Sequence, residues 1–209
     1  MTRILIADDH AIVRKGLRQL ILDEYPSAVI SEVNDVESLV SQVLKAEWDV
    51  IICDISMPGR SGVEALQQVK QMKPEIPVLI MSMHSEDQYA LRVMKAGASG
   101  YLSKDTVHED LIRAIQTIRQ GRKFITAAVA EKLANAFETD AKKKPHELLS
   151  DREFDVLKML AGGKSVSEIA EQLLLSPTTV STYRSRILEK MTMKTNADLT
   201  RYSIEHNLI

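Results

Sequence analysis

Asp49-Val50-Ile51-Ile52-Cys53 is an apolar run that ends on a carboxylate, Asp54, and Ile55-Ser56-Met57-Pro58-Gly59 follows directly. Such a run reads as a buried strand, which places Asp54 at its carboxyl mouth, the edge where open α/β sheets bind their ligands. Ile4-Leu5-Ile6-Ala7 ends in the same way on Asp8-Asp9. Three carboxylates then converge on one edge, and like charges that close are tolerated around a cation.

Working outward, apolar runs recur at roughly 3 to 7, 28 to 33, 49 to 53, 77 to 81 and 99 to 102. Between them lie helical patterns such as Ile12 to Ile21, where Val13, Leu17, Leu20 and Ile21 share one face. This alternation predicts an α/β fold, a flavodoxin-like doubly wound sheet of five parallel strands with helices on both faces. Pro58, Gly59 and Gly62 punctuate the loop after Asp54, and a helix from about Val63 turns Leu66 and Val69 inward.

A helical stretch from about Ala127 to Phe137 precedes the polar run Thr139 to Pro145, whose three consecutive lysines and proline describe a solvated linker; contact of those lysines with DNA phosphate is the alternative. Everything after Leu149 reads as helix. Ser150 caps one helix, with Glu153 three residues on; another starts near Ser165, a third at Ser176-Pro177, and the last runs from about Asn196 to His206. The 209 residues thus divide into an α/β domain over 1–121, a linker helix and flexible linker over 122–147, and a small all-α four-helix domain over 148–209.

A net charge of −2 excludes a globally basic nucleic-acid binder but leaves local patches open. Cys53, the only cysteine, forbids an intrachain disulfide and reads as a small buried hydrophobe. The first apolar stretch stops at Asp8, too short for a signal-peptide core or a membrane span, so a soluble cytoplasmic protein with no membrane partner is expected.

A carboxylate beside bound Mg2+ can act as a nucleophile toward a phosphoryl group, because the metal offsets the repulsion between two anions. Asp54 is the candidate phosphoacceptor. Asp9, helped by Asp8, and the backbone carbonyl of Ser56 would complete the metal site with Asp54. Lys104, just past the fifth apolar run, is placed to pair with one phosphoryl oxygen, and Ser82, just past the fourth, to donate its hydroxyl to another.

Together, Asp8-Asp9, Asp54 before Met57-Pro58-Gly59, Ser82, Tyr101 and Lys104 resemble the receiver domain of two-component response regulators, in order and spacing, over residues 1 to about 121. The resemblance implies that Asp54 accepts its phosphoryl group from a phosphohistidine on a sensor histidine kinase, and that Ser82 and Tyr101 then shift inward and remodel the fourth and fifth helices. Two departures stand out. Asp105 follows Lys104 where many receivers carry proline, which argues against a cis bond there. Met83 follows Ser82 where small residues are frequent; a bulky side chain at the mouth is expected to slow water and lengthen the life of the acyl phosphate.

From Leu149-Ser150-Asp151-Arg152-Glu153 through Val166-Ser167-Glu168-Ile169-Ala170 to Thr179-Val180-Ser181-Thr182-Tyr183-Arg184-Ser185-Arg186-Ile187, the chain resembles the LuxR-type helix-turn-helix of the NarL/FixJ group of response regulators. Val180, Ile187 and Met191 repeat near the helical period and should face the core. Thr178, Ser181, Thr182 and Ser185 then face a major groove, with Thr179 beside them. Between 178 and 194, Arg184, Arg186, Lys190 and Lys194 stand against Glu189 alone, although residues 145–209 carry 8 basic and 9 acidic side chains. Phosphate attraction is therefore concentrated on one helix. Many relatives carry lysine where Ser181 stands, so readout leans on Arg184, Arg186, water or DNA shape.

Blander roles compete at several positions. Asp8 or Asp9 could cap the first helix, His10 is a surface or capping residue, Tyr101 is a packed aromatic as well as a switch, and Arg184 and Arg186 could solvate a helix. A haloacid-dehalogenase-like phosphatase would place a second aspartate where Ser56 stands, and a flavodoxin-like flavin site would not set Asp8-Asp9 beside a phosphate. The expected function is a phosphorylation-dependent transcription regulator and not a turnover enzyme. Its receivers pair as a homodimer on phosphorylation and its helix-turn-helix domains bind double-stranded DNA at half-sites about 10 base pairs or a multiple apart. The last helix, through Leu199, Tyr202 and Ser203, is the expected dimer contact on DNA. A phosphorylation-independent DNA-binding regulator with a degenerate receiver is the alternative.

Overall fold

All five apolar runs become parallel strands, each within a residue of its expected bounds. In the computed structural model, which describes residues 1–57, 62–83, 86–127, 129–131 and 144–209, these are β1 (Arg3–Ala7), β2 (Val29–Val33), β3 (Val50–Asp54), β4 (Val78–Ser82) and β5 (Gly100–Ser103). The helices between and after them are α1 (Ala11–Glu24), α2 (Val36–Lys45), α3 (Gly62–Met72), α4 (Glu86–Lys95) and α5 (Val107–Arg119). The sheet order is β2-β1-β3-β4-β5. It reverses between β1 and β3, so the carboxyl ends of those two strands form the switch point where such sheets bind ligands.

Strand residues alternate between two buried faces. Ile4, Ile6, Val50, Ile52, Leu79, Met81 and Leu102 pack on Leu17 and Ile21 of α1 and on Leu111, Ala114, Ile115 and Ile118 of α5. Leu5, Ile51, Cys53, Ile80 and Tyr101 belong to the opposite face and are also buried. Burial on both faces is why these strands read as continuous apolar runs. The expected inward residues of α1 behave as the helical period requires: Leu17 and Ile21 are buried, and Val13 and Leu20 pack against the same cluster. In α3, Val63, Ala65, Leu66 and Val69 are buried.

After α5 the chain returns to the sheet. Phe124 donates its N–H to Ser99 O at 3.0 Å and accepts from the N–H of Tyr101 at 3.1 Å. Gly100 permits this approach, because a Cβ there would lie 2.9 Å from Phe124 O and 3.0 Å from Leu79 Cδ1. Chain contacts separate two compact units, Met1–Ala134 and Asn135–Ile209. Most of the helical stretch expected over 127–137, and residues 139–143 of the expected linker, lie outside the described residues, as do Pro58 and Gly59.

The second unit is helical: a 3-10 turn over Pro145–Leu148, then α6 (Asp151–Ala161), α7 (Val166–Gln172), α8 (Pro177–Lys190) and α9 (Asn196–Glu205). Ser150–Glu153, Ser165–Glu168 and Thr195–Asp198 form reciprocal capping boxes at the starts of α6, α7 and α9, and Ser176 caps α8 ahead of Pro177. Each cap satisfies amide donors that a helix start otherwise leaves without partners. Phe154, Val156, Leu157, Ile169, Val180, Ile187, Met191 and Leu199 form the core of this unit.

One expectation fails. Leu199, Tyr202 and Ser203 are buried inside this unit, at 0, 9 and 0% exposure, and so offer no dimer contact. Tyr202 stacks on His206 with ring centroids 4.0 Å apart, and its hydroxyl lies 2.8 Å from Nδ1 of His146. The outward face of α9 instead carries Arg201 and Ile204.

Candidate functional site

β1 and β3 are adjacent and in register, with Ala7 beside Cys53, so Asp8 and Asp54 leave the sheet side by side. Lys104 enters from the 3-10 turn that follows β5, a turn capped by Ser103, whose hydroxyl accepts from Asp105 N–H at 3.3 Å. Its Nζ donates to Asp8 Oδ2 at 2.7 Å and to Asp54 Oδ2 at 2.8 Å. All three side chains are buried, with 1, 2 and 8% exposure for Asp8, Asp54 and Lys104. Arg14 donates to the carbonyl of Asp8 at 2.6 Å and fixes the turn between β1 and α1.

The electrostatics follow from burial. Loss of water raises the Asp54 carboxyl above its ordinary value, an effect that the Lys104 ion pair opposes without cancelling. Burial alone would lower the Lys104 ammonium, but the bonds to Asp54 and Asp8 outweigh it and hold the group raised and charged. Beside them the Cys53 thiol is pushed upward by burial and by the two carboxylates, so it stays protonated and inert.

The remaining carboxylate oxygens face a different set of neighbours. Asp54 Oδ1 accepts from Ser56 N–H at 3.3 Å, and Asp8 Oδ1 accepts from His10 N–H at 2.8 Å. Asp9 Oδ1 is buried and makes no hydrogen bond, although His10 Nδ1 lies 2.7 Å away in an ion-pair contact. One ligand atom from each of Asp8, Asp9, His10 and Asp54 falls within 4.8 Å of the others. Hard carboxylate oxygens gathered this closely fit a divalent cation such as Mg2+. Neither aspartate caps α1, since its cap position is His10, which makes no side-chain cap bond. His10 holds the cap position of α1 and its side chain is 61% exposed, in keeping with its expectation as a surface or capping residue.

Ser82 is fully buried at the end of β4, and Tyr101 is 1% exposed in β5. By strand alternation both lie with Ile80 on the face opposite the core cluster of α1 and α5. Met83, immediately after Ser82, is 68% exposed. No cis peptide occurs among the described residues, so the bond after Lys104 is trans.

On α8, Thr178, Ser181, Thr182, Ser185 and Arg186 are exposed, as the periodicity predicts, while Val180, Ile187 and Met191 are buried. Two hydroxyls are already committed: Thr182 Oγ1 donates to Thr178 O at 3.0 Å and Ser185 Oγ to Ser181 O at 3.1 Å. Thr179 is half-buried and its hydroxyl lies 2.8 Å from Ser176 Oγ in the cap. Arg184 Nε donates to Asn196 Oδ1 at 2.7 Å, tying α8 to α9, and Lys190 Nζ lies 2.6 Å from the buried Glu153 carboxylate. Those last two bonds were not legible in the sequence.

The description "response regulator receiver domain" matches residues 4–116, and "bacterial regulatory proteins, luxR family" matches residues 147–203. Response regulator UvrY of Escherichia coli strain K12 is 34% identical over the whole of this chain and 96% of its own length. Response regulator GacA of Pseudomonas aeruginosa is 31% identical over the whole chain and 98% of its own length. Among solved structures, RcsB from Salmonella enterica serovar Typhimurium bound to promoter rprA in the presence of phosphomimetic BeF3− is 25% identical, with a TM-score of 0.66 over 97% of this chain and 98% of that one. A structure of two RcsB dimers bound to two parallel DNAs is 27% identical, with a TM-score of 0.59 over 96% and 97%. No helix among the described residues is long and apolar enough to cross a membrane. The paired matches and the full-length similarity place this chain in the response-regulator family, in the NarL/FixJ group with UvrY, GacA and RcsB, as a phosphoacceptor transcription factor with a LuxR-type DNA-binding domain and not a turnover enzyme.

Proposed function

We propose that this chain is a cytoplasmic, phosphorylation-dependent transcription regulator in which Asp54 accepts a phosphoryl group from a sensor histidine kinase. The observation that carries this reading is the buried bridge of Lys104 between Asp8 and Asp54 at the mouth of β1 and β3. The domains we assign are the receiver over 1–121, a linker over 122–147 and the helix-turn-helix domain over 148–209.

Asp8, Asp9, Asp54 and the backbone carbonyl of Ser56 would hold Mg2+, which when bound offsets charge between the entering phosphoryl group and the carboxylates. An Asp54 carboxylate oxygen attacks phosphorus in line; the new P–O bond forms as the P–N bond to the kinase histidine breaks, and the ring leaves with the bonding pair. Lys104 moves from the Asp54 carboxylate to a phosphoryl oxygen, and the Ser82 hydroxyl donates to another. Tyr101 shares the Ser82 face of the sheet, so a shift of Ser82 toward the phosphoryl group opens space beside Tyr101 and repacks the surface formed with α4.

Pairing of two phosphorylated receivers brings two α8 helices to one DNA, and avidity raises affinity without new base contacts. RcsB dimers on DNA supply the precedent. Arg186 is the exposed cation on the groove-facing side. Thr182 and Ser185, whose protons are given to backbone carbonyls, present acceptor lone pairs suited to adenine N6 and cytosine N4. Thr178 and Ser181 flank them, and Arg184, Lys190 and Thr179 act from the edge.

Intact mass after incubation with Mg2+ and acetyl phosphate, followed by light scattering, tests the reading. One added phosphoryl group, absent from Asp54→Ala, with a shift to dimer, is expected. A chain that takes no phosphoryl group even from its cognate kinase would instead be the phosphorylation-independent regulator.

A further inference from the structure

We propose that a cleft at the amino-terminal end of the receiver sheet, between Lys70 and Lys123, binds a small phosphate monoester. The site is separate from the carboxylate cluster, and the inference does not rest on the phosphoacceptor reading.

Asp49, Pro77 and Ser99 line this cleft and immediately precede β3, β4 and β5. Asp54 and Ser82 close the opposite ends of β3 and β4, so the length of a strand, about 16 Å at roughly 3.3 Å per residue, separates the two sites. The cleft encloses about 650 Å³, a volume typical of small-molecule sites.

Its charge is positive. Lys70, Arg119, Arg122 and Lys123 line it, and none of them makes an ion pair among the described residues. Of the three acidic lining residues, Asp49 accepts from Arg3 N–H at 2.7 Å and Glu47 pairs with Lys73 at 3.0 Å, which leaves Glu75. Both ammonium groups are held in place. Lys70 Nζ donates to Ile76 O at 2.6 Å and to Pro74 O at 3.1 Å, and its stem passes Gly97, where a Cβ would lie 3.4 Å from Lys70 Cγ. Lys123 Nζ donates to Ala98 O. An ammonium carries three donors, so one on Lys70 and two on Lys123 stay uncommitted among the described residues.

Loss of water, and then the charge of Lys123, lower the Lys70 ammonium below its ordinary value, which Glu75 opposes without cancelling; loss of water lowers Lys123 as well. Two fixed ammonium groups that repel each other across a cleft are complementary to a dianion, and the guanidinium groups of Arg119 and Arg122 match phosphate oxygens. Trp48, Ile76 and Ile118 supply a buried apolar wall to the same cleft. That wall and the volume exceed what a bare phosphate ion would use and suit the carbon part of an ester. Held by both lysines, the phosphoryl group would join the connection between α3 and β4 to the segment after α5 that Phe124 pins to β5.

Trp48 is the only tryptophan in the chain and lines the cleft, so its fluorescence reports the site directly. The test titrates the full-length chain with ribose 5-phosphate in EDTA at about pH 7.5, where the monoester is a dianion, and repeats the titration by calorimetry. Ribose and sodium sulfate at matched ionic strength are the controls. We expect saturable binding of ribose 5-phosphate alone, unchanged in Asp54→Ala and weakened roughly tenfold or more in Lys70→Gln and Lys123→Gln, the scale of one hydrogen bond to a charged group. Arg122→Ala changes an exposed position and keeps the test decisive if a lysine variant fails to fold; its affinity should fall roughly threefold, the scale of an exposed ion pair. No saturation by either readout below about 10 mM, equal binding of sulfate, affinity unchanged in the folded variants, or binding lost in Asp54→Ala would each overturn the inference and leave the phosphoacceptor reading standing.

Discussion

Lys104 Nζ sits 2.8 Å from Asp54 Oδ2, across 50 residues of sequence, and the same nitrogen lies 2.7 Å from Asp8. One buried cation therefore offsets the repulsion between two buried carboxylates. Lys104→Met should cost about 3 kcal/mol of receiver stability at neutral pH, the scale for removing one partner of a buried pair. Divalent cation should restore more stability to the variant than to the wild type, because it replaces the missing charge. Urea unfolding with and without Mg2+ measures both; equal metal effects in the two proteins would refute the compensation.

Gly62 approaches the end of β3 more closely than any side chain allows. Its N–H donates to Ile55 O at 2.9 Å, and a Cβ would meet Asp54 O and Ile55 Cα, both at 2.5 Å. Those neighbours are backbone, so they yield only by moving Asp54. Gly62→Ala should cost about 2 kcal/mol, within the range for overpacking, and slow acyl-phosphate formation by misplacing the carboxylate. Phosphorylation rates at saturating Mg2+ and phosphodonor separate this from simple unfolding; a normal rate would show that the strand end absorbs the methyl group.

The receiver fold and the core of its site were legible because parallel strands buried on both faces leave uninterrupted apolar runs, and because each of Asp8, Asp54, Ser82 and Lys104 ends or follows one of them. Helix starts were legible for a similar reason, since a capping box is a local pattern. What sequence could not give depends on where long side chains end. Arg184 and Lys190 counted only as charge on α8, yet one bonds Asn196 and the other Glu153. Leu199, Tyr202 and Ser203 were assigned to an interface, but the helical phase of α9 turns them into the core and leaves Arg201 and Ile204 outside. His10 is the exposed residue at the cap position that the pattern implied, and only its 2.7 Å contact with Asp9 Oδ1 was not legible.

Acid should unfold the helical unit through its caps. Burial would raise the Glu153 carboxyl, but bonds from Lys190 and Ser150 hold it below its ordinary value; hydrogen bonds from Ser165 and Thr195 lower Glu168 and Asp198. A depressed folded-state value means stability that is present above the ordinary carboxylate range near pH 4 and lost as pH falls through the folded value. Glu153→Gln should therefore cost about 1 kcal/mol at pH 7 and flatten the acid limb below about pH 4.5. Denaturant titrations followed by helical circular dichroism at both pH values test the sign. A variant as acid-sensitive as the wild type would exclude Glu153 as a contributor.

Arg184 and Arg186 lie two residues apart on α8 and should fail in different ways. Arg184 is half-buried with its Nε on Asn196 Oδ1, whereas Arg186 is exposed and has no hydrogen-bond or ion-pair partner among the described residues. Arg186→Ala should leave stability within about 0.5 kcal/mol of the wild type, weaken DNA binding and reduce the slope of log affinity against log salt by about one. Arg184→Ala should lower the stability of the helical unit by about 1 kcal/mol, because Asn196 loses its donor at the start of α9. Lysine at 184 should not repair it, since an ammonium on a flexible stem does not reproduce the guanidinium Nε–H. Filter-binding across a salt series, paired with thermal unfolding of the same samples, distinguishes the two. If Arg184→Ala changed only the salt slope, its bond to Asn196 would contribute nothing to the fold and the residue would belong to the DNA surface with Arg186.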